Sequence, residues 1–167
     1  ASVPSEKLKT VISFDKGGVW GYLTPPQLDA HGKPIVCDAR EGACSLHLHS
    51  VTDVWGPFYS VDSAVGLIMA TGNVGTHLTN SPTSVNTYFS RDAGMEWFEV
   101  MKGSHIYEFG DHGALVVMAD DLNPTDSVIY TWNEGLSWHT FKFTQQKMKV
   151  DNIIIEPSSK SQRFIVY

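Results

Sequence analysis

SRDAGMEW at Ser90–Trp97 reads Ser-x-Asp-x-Gly-x-x-Trp, and near-copies stand at Ser13–Trp20 (SFDKGGVW) and Thr131–Trp138 (TWNEGLSW). This is the Asp-box pattern, and physically it is a turn recipe. The Asp or Asn (Asp15, Asp92, Asn133) can accept hydrogen bonds from turn N–H groups. The Gly two residues on (Gly17, Gly94, Gly135) takes a φ that other residues resist. The Trp (Trp20, Trp97, Trp138) is then a large apolar plug folded beneath the turn. Strand-like runs precede every copy: LKTVIS, VNTYFS and SVIYT. One such box recurs by chance. Three with flanking strands predict repeated β-hairpins of one design, and so an all-β section of an Asp-box β-propeller.

The spacing supports this. The 41 positions from Ser90 to Thr131 match one four-stranded blade. The 77 positions from Ser13 to Ser90 read as one blade plus an insert, because the stretch around Cys37–His49 has no box of its own. About three to four blades fit this length, and propellers close with four or more. The expectation is therefore a single partial β-propeller domain over 1–167, a section of a longer chain. Lys7–Ser13 and Trp20–Leu23 are predicted as an outer hairpin, Thr24–Ala43 as an irregular excursion, and Cys44–His49 as a strand. Val51–Ser63 reads as a loop with Trp55, Phe58 and Tyr59, and the apolar run Gly66–Thr71 as an inner strand buried on both faces. His105–Phe109, Ala114–Ala119, Val128–Thr131 and His139–Phe143 form one whole blade, and Val150–Glu156 with Arg163–Tyr167 opens the next.

Composition narrows the function. A net charge of −6 with lysines and arginines scattered singly argues against a nucleic-acid partner and against an anionic membrane surface. No apolar run approaches the ~20 residues of a bilayer span. Cys37 and Cys44 bracket a polar loop and are too far apart for a C-x-x-C redox or zinc motif. They suit a small disulfide, which places the chain in an oxidising lumen or outside the cell. Two free thiols in a cytosolic protein are the alternative.

Candidate chemistry is sparse. His47 and His49 share one strand face, while His105 and His112 flank a later strand and turn. Nothing in the sequence links the two sets into the three ligands a catalytic zinc needs, so no metal is expected. Asp boxes also occur in sialidases, so an Asp-box glycoside hydrolase is the alternative function. It would need an arginine cluster, a Tyr nucleophile and paired carboxylates around the axis. The chain has only Arg40, Arg91 and Arg163, with Arg91 inside a box and Arg40 inside the cysteine loop. No catalytic residue and no cofactor are expected. The box set of Ser13, Asp15, Gly17, Trp20, Ser90, Asp92, Gly94, Trp97, Thr131, Asn133, Gly135 and Trp138 reads as structural, since Asn133 replaces Asp where a catalytic carboxylate could not be replaced. Asp120, Asp121 and Asp126 lack the EF-hand spacing and read as a solvated turn.

Longer phrases carry a resemblance. GACSLHLH at Gly42–His49, VGLIMATGNVG at Val65–Gly75, YFSRDAGMEWFEVMKGSHIYEFGDHGALVVMA at Tyr88–Ala119 and IYTWNEGLSWHTFKF at Ile129–Phe143 are similar to the luminal domain of sortilin-family, fungal vacuolar-sorting-receptor-like proteins. The opening VISFDKGGVW and the IIIEP segment at Ile153–Pro157 resemble blade starts of the same family. The resemblance implies a ten-bladed propeller in a single-pass membrane receptor. It implies binding of propeptides, peptide tails or soluble hydrolases, carried between the Golgi, endosome and vacuole. The expected partners are thus protein or peptide cargo and the remainder of the same propeller. Ligand residues in that family line the propeller tunnel, and none is carried over. The polar strand ends Thr71, Asn73 and His77, or Glu108, Asp111 and His112, are the candidates for the lining.

Overall fold

A computed structural model describes residues 8–38, 43–50 and 59–167. Lys7, Arg40, Gly42, Trp55 and Phe58, which figure in the expectations above, lie outside them. The chain forms two complete four-stranded antiparallel meanders, flanked on each side by a two-stranded hairpin. The first hairpin is β1 (Val11–Ile12) with β2 (Gly21–Tyr22). The first full blade is β3 (Ser45–Leu48), β4 (Ile68–Gly75), β5 (Asn86–Ser90) and β6 (Phe98–Lys102), paired in that order. The second is β7 (His105–Gly110), β8 (Leu115–Asp120), β9 (Ser127–Thr131) and β10 (His139–Lys142). The last hairpin is β11 (Ile153–Ile154) with β12 (Ile165–Val166). The four units are consecutive propeller blades, and each box joins a third strand to a fourth.

Burial follows strand position. The second strands β4 and β8 are apolar and buried along most of their length, because a neighbouring blade covers each face. The outermost β10 is largely exposed. β4 begins two residues later than the Gly66–Thr71 expectation and runs four further, to Gly75. Pairing with β3 sets this limit, since Ser45 opposes Gly75 and Leu48 opposes Gly72. Gly72 is required there: a Cβ would stand 2.0 Å from the carbonyl oxygen of His47.

The three apolar clusters are the three contacts between successive units. Ile12, Leu23, Leu46, Tyr88 and Trp97 join the first hairpin to the first blade. Met69, Phe89, Phe109, Val116 and Met118 join the two blades. Val117, Val128, Val150 and Ile153 join the second blade to the last hairpin. The insert after β2 is fastened to the first blade at Glu99, a buried carboxylate on β6. Glu99 accepts hydrogen bonds from Ala30 N at 3.2 Å, Asn86 Nδ2 at 3.1 Å and Tyr88 Oη at 3.3 Å. Lys102 bridges Glu99 to Asp29, 3.1 Å from the latter. Cys37 and Cys44 are joined by a disulfide with a Cα–Cα distance of 5.5 Å, so the free-thiol alternative is set aside.

The boxes share one hydrogen-bond pattern. Ser13, Ser90 and Thr131 donate to Oδ1 of Asp15, Asp92 and Asn133 at 2.8, 2.9 and 2.8 Å. The same hydroxyls accept from Gly17, Gly94 and Gly135 N at 2.8, 2.8 and 3.0 Å. The Asp or Asn oxygen then accepts from Val19, Glu96 or Ser137 N, four residues on. The residue before each Gly is also left-handed, with φ of 63° at Lys16, 61° at Ala93 and 55° at Glu134. The Trp positions differ. Trp97 is 5% exposed and packs with Ile12 of the first hairpin, whereas Trp20 is 60% exposed. Trp20 and Trp97 donate Nε1–H to their box Gly carbonyl at 3.0 Å. Trp138 Nε1 finds no partner among the described residues.

Ser90 is fully buried, so Ser90→Ala strands the Gly94 N–H and is expected to cost about 1–3 kcal/mol. That is a fall of roughly 2–4 °C in Tm per kcal/mol for a chain of this size. Ser90→Thr is expected to be mild, because Thr131 fills the same role. Thermal melts in which Thr is as damaging as Ala contradict this pattern.

Candidate functional site

Antiparallel meandering places the first-to-second connection of each blade at one end, together with the box. Three of these connections, from successive units, converge on a cavity of about 700 Å³. The first supplies Tyr59, Val61, Asp62 and Ser63 ahead of β4, and β7 and its turn supply Glu108 and His112. The β11–β12 connection closes the cavity with Ile155–Lys160.

Each wall is held by local chemistry. Tyr59 forms a backbone bridge to Met69 and stacks on Phe109, with ring centroids 5.7 Å apart. Its hydroxyl donates to Glu108 Oε1 at 3.0 Å, and that oxygen also takes the Phe109 N–H at 2.8 Å. Burial raises the Glu108 carboxyl, against the pull of these two donors. Burial, and then the neighbouring carboxylate, pushes the Tyr59 phenol up to about 12. The pair therefore shares a proton that stays on the tyrosine.

The turn after β7 is unusual. Asp111, His112 and Gly113 are left-handed in succession, with φ of 49°, 58° and 89°. The conformation is over-determined from outside, as a strained turn requires. Asp111 N donates to Ser161 O at 2.9 Å, His112 N to Ser159 O at 3.1 Å, and Gln162 Nε2 to Asp111 Oδ2 at 2.7 Å. Gly113 packs so closely that a Cβ would stand 2.6 Å from that of Ala64. The facing loop is organised by Glu156. Its carboxylate accepts from Ser158 N and Oγ at 2.6 Å each, from Lys160 N at 2.5 Å and from Ser161 N at 2.9 Å. These donors, the Ser158 hydroxyl first, pull its carboxyl down to about 2.

The sequence-derived candidates therefore separate. Glu108 and His112 both line this cavity, and Asp111 is not in its lining but is bonded to the facing loop at Ser161 and Gln162. Thr71 is buried midway along β4, and Asn73 and His77 lie toward the other end of their blade. There Asn73 holds the strand exit by donating to His77 O at 3.0 Å and accepting from Thr79 N at 2.9 Å. Arg91 lies over the Phe98 ring at 4.6 Å, on the rim. Asp120 accepts from Leu122 and Asn123 N at 2.8 and 2.7 Å, a local Asp-capped turn. Tyr59 stood out in the sequence only as a loop aromatic, and Asp62, Ser159 and Lys160 not at all. The only sequence signal near them is the EPSSKS run, a carboxylate followed by turn residues.

The strand histidines are engaged elsewhere. His47 Nε2 is 3.1 Å from Gly75 O, and its Nδ1 accepts from Thr10 N at 3.2 Å. His49 Nε2 is 3.0 Å from Thr79 O, and His105 Nδ1 is 3.0 Å from Thr87 Oγ1. Among the described residues, no three His, Cys, Asp or Glu side chains gather to hold a metal. The cavity offers fixed acceptors and hydroxyls, and so suits hydrogen-bond-donating or cationic groups.

A model of the Sortilin-Vps10 family, described as sortilin, neurotensin receptor 3, matches residues 2–153. The chain is 42% identical over 164 residues to the vacuolar protein sorting/targeting protein 10 of Laccaria bicolor, covering 97% of this chain and 11% of that protein. The Penicillium rubens protein of the same name is 41% identical over 170 residues, 98% and 11%. That of Debaryomyces hansenii is 38% identical over 165 residues, 97% and 10%. The chain thus spans about a tenth of the length of these relatives.

Burial lowers the pKa of His47, His49 and His105 from the ordinary value near 6.5. Below that value the unfolded chain takes up protons that the folded chain refuses. Stability is therefore full above about pH 6.5 and falls as pH drops, by at most about 1.4 kcal/mol per pH unit for each histidine. Glu108, whose carboxyl is raised, acts in the opposite direction but is one group against three. Tm is expected to fall between about pH 6.5 and 5, and His47→Gln with His49→Gln to flatten the slope. A Tm that rises over this range contradicts the assignment.

Proposed function

The chain belongs to the Sortilin-Vps10 family, and from that membership we propose that it is a cargo-binding section of a sorting receptor's luminal domain. Over 1–167 it is one partial β-propeller domain with no internal boundary. Its cargo is peptide or protein: propeptides, peptide tails or soluble hydrolases bound for transport from Golgi to endosome and vacuole. The role is binding without turnover. The relatives are named for sorting and targeting, and the disulfide suits a luminal or extracellular face. No helix among the described residues is long and apolar enough to cross a membrane, so in this reading the anchor of a single-pass parent lies elsewhere.

The observation that carries the reading is the cavity at the convergence of three blade connections. Its groups are held in place before any ligand arrives, which lowers the ordering cost of binding. Glu108 is the central acceptor, facing a space also edged by Asp62 and Glu156, with Lys160 the single lysine. A cargo segment presenting a basic side chain or free amine fits this balance. As pH falls through the raised pKa of Glu108, its carboxyl takes a proton and the attraction weakens. Cargo taken up at neutral pH is thereby released in an acidic compartment.

Titration of the chain with lysine-bearing and lysine-free synthetic peptides at neutral and mildly acidic pH tests this. Saturable binding of the lysine-bearing peptide is expected, weaker at the lower pH. Glu108→Gln is expected to cost roughly 10- to 150-fold in affinity at neutral pH, since a charge-assisted hydrogen bond is worth about 1.5–3 kcal/mol. Hydrolysis of a fluorogenic glycoside with no peptide binding at either pH replaces the receptor reading with an enzyme.

A further inference from the structure

Between the second and third boxes lies another cavity, of about 330 Å³. The insert closes one side of it at Asp29 and Ala30, and the start of β6 forms its floor. The second box contributes Arg91, and the third contributes Glu134, Leu136 and Trp138. All of these walls belong to the two complete blades and to the insert that precedes them. No residue is shared with the cavity at the blade connections.

Its charged groups divide into two kinds. Asp29 and Glu99 share Lys102 and are thereby matched. Arg91 and Glu134 are not: among the described residues neither side chain forms an ion pair or a hydrogen bond. Arg91 is half-buried, with its guanidinium lying on the Phe98 ring at 4.6 Å. Stacking occupies the face of the guanidinium and leaves the N–H donors, which lie in its plane, for a planar acceptor. Glu134 is exposed and stands on the other blade, on a left-handed residue of the third box with φ of 55°. A third group is unmatched as well. In the first two boxes the Trp Nε1–H is closed onto the box Gly carbonyl at 3.0 Å, whereas that of Trp138 is buried without an acceptor. A buried N–H left in that state is costly, and such groups call for a partner.

We propose that this cavity binds a small zwitterion, a free α-amino acid with an apolar side chain. The ligand carboxylate takes the in-plane donors of Arg91 and the Trp138 Nε1–H, and the ammonium takes Glu134. The apolar side chain lies against Phe98, Leu136 and the Trp138 ring, which line the same space. Both charges are needed. A simple anion satisfies Arg91 but meets the Glu134 carboxylate, and a simple amine satisfies Glu134 but meets the guanidinium. Each half-ligand is thus rejected by a like charge, which is how a site of this kind gains specificity. The volume agrees, since about 330 Å³ is at the small end of ligand cavities. The site is independent of the cargo reading, because its walls and its ligand chemistry are its own.

Titration of the chain with L-leucine, N-acetyl-leucine and leucinamide tests it, read by NMR at the indole N–H of Trp138, whose resonance is identified with Trp138→Phe. L-leucine is expected to move that resonance saturably to lower field as the N–H gains an acceptor. N-acetyl-leucine lacks the ammonium and leucinamide the carboxylate, so each is expected to bind about ten-fold more weakly or worse. Arg91→Gln is expected to bring L-leucine down to the affinity of leucinamide, and Glu134→Gln to that of N-acetyl-leucine. A merely structural role for either side chain does not produce that pairing of variant with analogue. If a variant fails to fold, the three ligands on the wild-type chain decide alone. No saturable shift with L-leucine overturns the proposal, as does L-leucine binding that leaves Trp138 unmoved. N-acetyl-leucine binding as tightly as L-leucine replaces it with a simple anion site, and leucinamide doing so with a simple amine site.

Discussion

Everything in this chain depends on how one blade closes onto the next. A four-stranded meander alone has two apolar faces, and here each core cluster lies between units rather than within one. The box supplies a close contact in two of these clusters. Its hydroxyl and its Asp or Asn oxygen satisfy the turn amides, so two left-handed residues can follow one another without stranding polar groups. That sharp turn brings a Cβ-free glycine and a tryptophan ring against the neighbouring third strand. Turn chemistry and interblade packing are the same event, which explains why the pattern is eight residues long and fixes both ends.

The fold was legible because its determinants are local. The box, its flanking strands and the 41-residue repeat all lie within one blade, and Asn133 tells a turn acceptor from a catalytic carboxylate. The strand ends were less legible, since β4 is extended to Gly75 by a partner strand more than twenty residues away in sequence. The exposure of Trp20 was not legible at all. It depends on what stands beside the first box, and the motif is the same whether or not a neighbour is present.

The candidate site was half legible for the same reason. Glu108 and His112 were visible as polar residues at the end of an inner strand. Their partner Tyr59 lies 49 residues from Glu108, and Gln162 lies 51 from Asp111. Contacts at that range between different blades leave no periodic trace in the sequence. Thr71, Asn73 and His77 were equal candidates, yet Thr71 is buried mid-strand and antiparallel order sends the other two toward the opposite end.

The two ends of a blade are under different constraints, and this divides scaffold from site. The box turn must keep its register or its glycine and tryptophan lose their contact with the neighbouring blade. The first-to-second connection at the same end has no such duty, and its three copies here differ in length and chemistry: a long segment ahead of β4, a tight left-handed turn after β7, and a carboxylate-organised loop after β11. Variation is free where the backbone is anchored by strands on both sides. Loops carried in this way converge on one cavity while the register beneath them stays fixed. Of the polar groups that define the cavity, Glu156 is held by donors of its own loop, and Glu108 by the next amide in its strand and by Tyr59 of the preceding blade. A propeller of this kind can therefore exchange one connection, and with it part of the cavity's lining, without disturbing the box contacts that close its blades.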